Sequence, residues 1–411
     1  VYKFVARGRV FAMKREFGRR VLATALVVFV AIGGGYSALG KVRPSAEPAA
    51  RRFATTDNAV ANSWSAKSAA AYLDQREKWW NGWEDAKREN GTFCVSCHTS
   101  VPYALARPAL HKALGEASPT EYERVLFENV AKRVRMWDQI APTYSDKDAG
   151  PNKSVESRAT EAVLLTFVLA NHDARSGKLS EETREAFAHL WKMQQSDGAQ
   201  RGAWLWQLFD LNPWEGNISP YNGAAMAAIA VGMAPENYRA TQEIQKNLEG
   251  LRDYLNRESS SQPLLNRMML LWASAKWQGL LTAERQKEIT TEILKAQKPD
   301  GGWSLFPLAK TWKDLSPSAV LGKWERNDGS PQDTNSDGYA TGLAVYVLRQ
   351  AGVSSEDGQV RHGKEWLIKN QSGVNGGWRT VSLNKKRDPA SNAGKFMSDA
   401  ATAYAVLALE E

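Results

Sequence analysis

Hydrophobic and polar positions fall into four regimes along the chain. Val21 to Leu39 reads VLATALVVFVAIGGGYSAL, without a charge, close to the roughly 20 residues a spanning helix needs. Residues 41–62 mix small and polar residues with Pro44 and Pro48 and read as a tether. Ser65 to Glu89 places Tyr72, Leu73, Trp79, Trp80 and Trp83 at helical spacing behind a good N-cap, and Gly91 ends the run. A further helical run spans Glu121 to Gln139, with Pro102 and Pro108 breaking the chain before it.

After residue 150 the pattern repeats. One unit is a Gln, a Gly-rich turn and a Trp at the end of a helix-patterned stretch. It occurs as Gln297-Lys298-Pro299-Asp300-Gly301-Gly302-Trp303 and from Gln371 through Gly376-Gly377 to Trp378, with a looser copy from Gln195 to Trp204. The other unit opens a helix of small residues, as at Ser157-Arg158-Ala159-Thr160-Glu161, Tyr221-Asn222-Gly223, Ser336-Asp337-Gly338 and Ser398-Asp399-Ala400. A spacing of tens of residues between copies is the signature of stacked helix pairs. The expected architecture is all-α. Residues 1–40 would be a basic segment with a transmembrane anchor or signal peptide, 41–62 a linker, 63–150 a distinct helical segment and 151–411 a repeat domain.

Charge changes the picture only at the N-terminus. The net charge is +8, but residues 1–52 hold 11 Lys and Arg against Glu16 and Glu47, which leaves the remainder at −1. A near-neutral body argues against a nucleic-acid surface. Seven basic residues ahead of the apolar run place the N-terminus in the cytoplasm and the body on the periplasmic side. No clear A-x-A site follows the run, which favours an uncleaved single-pass anchor over a cleaved signal peptide. The 16 Trp exceed average usage and suit either packing struts or the lining of an apolar cavity.

The two cysteines stand in Cys94-Val95-Ser96-Cys97-His98. C-x-x-C-H is the attachment pattern of c-type haem: Cys94 and Cys97 would carry the thioethers and His98 the proximal bond to iron. A disulfide, a redox dithiol and half a zinc site are the alternatives, and the scattered remaining histidines do not complete a zinc site. The sixth iron ligand is Met136, His111 or an open position. Two strong ligands would favour electron transfer, and an open site small-ligand chemistry.

Q-x-x-D-G-G-W behind an aromatic-Leu helix resembles the QW repeat of squalene–hopene cyclases and the related prenyltransferases, over roughly residues 150–411. The resemblance implies an α/α toroid, about five or six helix pairs around a cavity. It also implies that Gln297 with Trp303 and Gln371 with Trp378 tie neighbouring outer helices together. The family's chemistry does not carry over. Of its D-x-D-D-T-A acid run only Asp337 has a counterpart, Asp399 is likewise single, and both cysteines belong to the C-x-x-C-H motif rather than to a prenyltransferase zinc site.

The expectation is therefore a membrane-anchored, exported protein with covalent haem c, engaged in electron transfer. Its toroid would bind an apolar small molecule or a redox partner protein. A docking or assembly module is the second reading. A toroid enzyme on an isoprenoid-type substrate, with Glu161, Asp337 and Asp399 facing the cavity, is the third. Catalytic residues are otherwise not legible.

Overall fold

Helix composition decides which helices go inside. The computed structural model describes residues 63–310 and 325–411, so the apolar run at 21–39 lies outside the described residues. Among those described, twelve helices of seven residues or more follow one another. They are α1 (Ala66–Gly82), α2 (Ser100–Ala106), α3 (Glu121–Arg135), α4 (Lys153–Ser176), α5 (Glu181–Met193) and α6 (Ser219–Met233). The rest are α7 (Gln245–Glu258), α8 (Leu264–Lys276), α9 (Ala283–Lys295), α10 (Gly338–Gln350), α11 (Gly358–Lys369) and α12 (Phe396–Glu410).

The even-numbered helices pack side by side in chain order, and α12 returns to α2, so the ring closes. The odd-numbered helices lie against its outside: α1 on α12 and α2, α5 on α4, α7 on α6, α9 on α8, α11 on α10. This is an α/α toroid of six pairs. Inner helices α6 and α12, rich in Ala, are buried on every face. Outer helix α5 buries only Thr183, Ala186, Phe187 and Leu190, the single stripe of a helix with one wet side. The segment 63–150 contributes outer helices α1 and α3 and inner helix α2 to the same ring.

The QW turns clasp successive outer helices. Gln297 Nε2 donates to Gly301 O (2.8 Å) in its own turn and to Gln359 O (2.7 Å) at the start of α11. Gln371 Nε2 donates to Gly376 O (2.8 Å) and to Ser65 O (3.0 Å), while Ser65 N donates back to Gln371 Oε1 (2.7 Å). The last clasp joins the end of α11 to the start of α1 and seals the toroid. Trp303 and Trp378 are fully buried, with Nε1 donating to Ile293 O (2.7 Å) and Leu367 O (2.8 Å) of the preceding helices. Gly301 sits at φ +88°, and a Cβ there would lie 2.8 Å from His362 O, so the turn reaches its neighbour only without a side chain.

Two elements differ from the sequence reading. The looser third clasp uses Gln194 rather than Gln195: Gln194 Nε2 donates to Gly202 O (2.9 Å) and Asn247 O (3.0 Å). Helix α1 stops at Gly82 instead of continuing to Glu89, because Lys87–Arg88 pairs antiparallel with Thr92–Phe93 across Asn90 and Gly91, both at positive φ.

Candidate active site at the mouth of the toroid

The N-terminal ends of α2, α10 and α12 converge with the loop before α6, and aromatic rings line the meeting point. His98, immediately before α2, stacks on Phe396 (3.8 Å between centroids). It meets Trp80 edge-on at 4.9 Å and lies 5.6 Å from Trp214. Trp214 in turn neighbours Tyr339 (6.1 Å), and Tyr339 neighbours Tyr404 (5.0 Å). Trp79 and Trp83, expected on one helical face, stack at 5.0 Å against the same cluster.

His98 heads a buried polar chain. Its Nδ1 lies 2.9 Å from Thr99 Oγ1, and Thr99 Oγ1 donates to Asp399 Oδ2 at 2.8 Å. Because the threonine proton goes to the carboxylate, Thr99 accepts from Nδ1–H, which leaves Nε2 with its lone pair. Asp399 is gripped in a bidentate pair by Arg76 (Nε to Oδ1 2.7 Å, Nη2 to Oδ2 2.9 Å) and accepts from Tyr72 OH (2.9 Å). Asn392 holds the far side of the guanidinium. Burial, with the charges of Arg76 and Arg387, pulls the His98 imidazole well below its ordinary value, so it stays neutral.

The two thiols sit beside two carboxyl groups. Cys94 and Cys97 are free and half-buried, and Cys94 O accepts from Trp80 Nε1 at 2.7 Å. Burial pushes both thiols up; the charges of Glu161 and Glu215 both add to the rise at Cys94, and that of Glu215 to the rise at Cys97. Glu161, on α4, is ion-paired with Arg133 and with Arg158 (3.4 Å). Glu215 lies on the loop before α6. That loop is fixed by Trp206 Nε1 donating to Trp214 O (2.7 Å) and by Gln207 N donating to Thr160 Oγ1 (3.0 Å). Desolvation raises the Glu215 carboxyl to about 7. Sequence reasoning missed Glu215, because no motif surrounds it; the aromatic residue before it was the only signal.

The other candidates lie elsewhere. Asp337 is the N-cap of α10: it accepts from Ala340 N (3.0 Å), Leu305 N (2.6 Å) and Thr380 Oγ1 (3.0 Å). Its partners and those of Asp399 and Glu161 are cations, hydroxyls and amides, so the three do not form the carboxyl pair an acid-driven cyclase needs. His111 Nε2 is bound to Glu123 (2.9 Å) and does not serve as a ligand to His98's site. Met136 ends α3 as its C-cap. Among the described residues no helix is long and apolar enough to cross a membrane, and no group of three or more His, Cys, Asp or Glu is placed to hold a metal ion.

No protein-family model and no curated protein matches the chain. Similar solved structures include the GH76A alpha-1,6-mannanase from Salegentibacter sp. HEL1_6, at 10% identity and a TM-score of 0.47, covering 84% of this chain and 100% of that one. Another is described as a glycosidase, at 10% identity and a TM-score of 0.44, covering 84% of this chain and 98% of that one. An inactive variant of the mannanase in complex with alpha-1,6-mannotriose matches at 9% identity and a TM-score of 0.46, covering 84% of this chain and 100% of that one. The similarity to squalene–hopene cyclases is supported only as far as the helical toroid. The expectation of haem c on Cys94, Cys97 and His98, and with it electron transfer, is corrected: Phe396, Trp80 and Trp214 close in on the imidazole that a porphyrin would have to reach.

Proposed function

We propose that the mouth of the toroid is an acid–base site that hydrolyses a glycosidic bond. The observation that carries this reading is the contrast between Glu215 and Glu161. Both act on Cys94, yet Glu215 is held protonated near neutrality by desolvation while Glu161 is ion-paired to two arginines. Two carboxyl groups with opposed environments divide the work of proton donor and base or nucleophile. Glu215 gives its proton to the leaving glycosidic oxygen as that C–O bond breaks, and Glu161 takes a proton from the water whose oxygen bonds to the sugar carbon. The neutral His98, fixed through Thr99 and Asp399, accepts a hydrogen bond at Nε2. Trp214, Tyr339 and the Trp79–Trp83 pair supply flat faces for sugar rings. The basic-then-apolar N-terminus supports an exported enzyme, with the toroid on the periplasmic side.

The test is release of reducing ends from a panel of soluble oligosaccharides. The wild-type chain should cleave at least one. Glu215→Gln should lose about 10²-fold or more in kcat with an unchanged circular dichroism spectrum. Activity should fall as pH rises through about 7, where Glu215 gives up its proton. Undiminished turnover in Glu215→Gln, or a mature polypeptide whose mass includes a tetrapyrrole on Cys94 and Cys97, would overturn the proposal.

A further inference from the structure

We infer that a cavity on the same face as the mouth, lined by none of the residues of its aromatic cluster or polar chain, binds a single neutral sugar ring or a polyol of that size. It has a volume of about 270 Å³ and lies between the N-terminal end of α10 and the C-terminal half of α11. That is just under the roughly 300 Å³ at which small-molecule pockets usually begin, room for one sugar ring.

Its lining has the right chemistry. Trp366 and Phe306 offer flat apolar faces, and Gln332, Asp333, Asn335 and Arg379 offer donors and acceptors around them. Both signs of charge are present in small number, so a neutral ligand with many hydroxyls suits the lining better than an anion or a polyamine.

The wall is built rather than incidental. Trp366 Nε1 donates to Asp300 Oδ2 at 3.2 Å, and Asp300 Oδ1 accepts from Ser336 Oγ (2.7 Å) and Gly302 N (3.1 Å). A Cβ on Gly302 would stand 2.6 Å from the Ser336 Cβ and 3.0 Å from the Trp366 ring. The Asp-Gly-Gly of the Gln297–Trp303 turn therefore does two jobs: it clasps helices, and it fixes the plane of Trp366 at the cavity. A preset aromatic plane removes part of the ordering cost of binding. Asp337, which also lines the cavity, is tied by its three donors and acts as scaffold.

This inference is independent of the acid–base reading of the mouth. Isothermal titration of the full chain with D-glucose, D-mannose and D-galactose, and with inorganic phosphate and spermidine as charged probes, tests it. We expect saturable binding of at least one hexose with a Kd on the millimolar scale. Trp366→Ala should weaken it at least about tenfold, Trp366→Phe should retain most of it, and Asn335→Ala, an exposed change remote from helix packing, should weaken it several-fold. Glu215→Gln should leave it unchanged. Absence of hexose binding, binding indifferent to Trp366→Ala and Asn335→Ala, binding lost in Glu215→Gln, or phosphate or spermidine binding in place of hexose would each overturn it.

Discussion

Glu77 is a fully buried carboxyl that the site does not use. It lies on α1 with Oε1 accepting from Ser100 Oγ at a long 3.4 Å, and its Oε2 has no hydrogen-bond partner. Burial raises it from 4.5 to about 8, the charge of Asp399 adding to the rise and the Ser100 hydrogen bond opposing it, so it is folded as a neutral acid. The unfolded chain releases that proton near the ordinary value and the folded chain does not. The contribution of protonated Glu77 is thus complete below about 4.5 and is lost as pH climbs toward about 8. Glu77→Gln should gain on the wild type over that window, by up to about 1.4 kcal/mol per pH unit, and then plateau. Urea unfolding at half-unit pH intervals would show it, and a difference flat in pH would refute it. Nothing about residue 77 flagged this in sequence, since a Glu in the helix DQREKWW reads as a wet face. The same blindness hid Glu215 and the Arg76–Asp399 pair, whose members stand 323 positions apart.

Elements were far more legible than side-chain roles. Helix caps, the apolar stripes of the outer helices and the Gly-rich turns are local patterns, and α3 begins at Glu121, where the Thr120–Glu123 capping box starts it. Gln297 and Gln371 clasp the helices that the QW resemblance implied. The third copy misled because its turn runs ten residues from Gln194 to Trp204, against six from Gln297 to Trp303, so the neighbouring Gln195 looked equivalent. Its Nε2 reaches only Met193 O, at 3.3 Å. Clasp strength can be read at the seam. Gln371→Ala removes two donated hydrogen bonds and one accepted from Ser65 N, at a site that water can partly reach. The cost should be about 1–3 kcal/mol. It should appear first as faster amide exchange in the opening turn of α1 and at the Ser372–Gly376 turn, with the inner helices still protected. Uniform loss of protection across all twelve helices would show that the clasp is not a local fastener.

At the scale of the molecule, the closed ring makes the first helices as much a part of the core as the last. The sequence reading set 63–150 apart from the repeats, and a self-contained segment would melt on its own. In the structure α12 packs on α1 and α2, the buried Arg76–Asp399 pair and the Thr99–Asp399 hydrogen bond join the first helices to α12, and the Gln371–Ser65 clasp joins the start of α1 to the end of α11. Such an arrangement has no free edge at which a part could separate while keeping its own buried surface. A chain comprising residues 63–411 should therefore show one calorimetric transition. Arg76→Leu leaves Asp399 buried without its cation, at a cost of about 3–5 kcal/mol. It should shift that single transition downward rather than split it, because destabilising the seam exposes α12, and α12 carries α10 with it. Two transitions in the parent chain, or a variant in which only a minor early transition moves, would mean that the first three helices fold as a unit and dock afterwards.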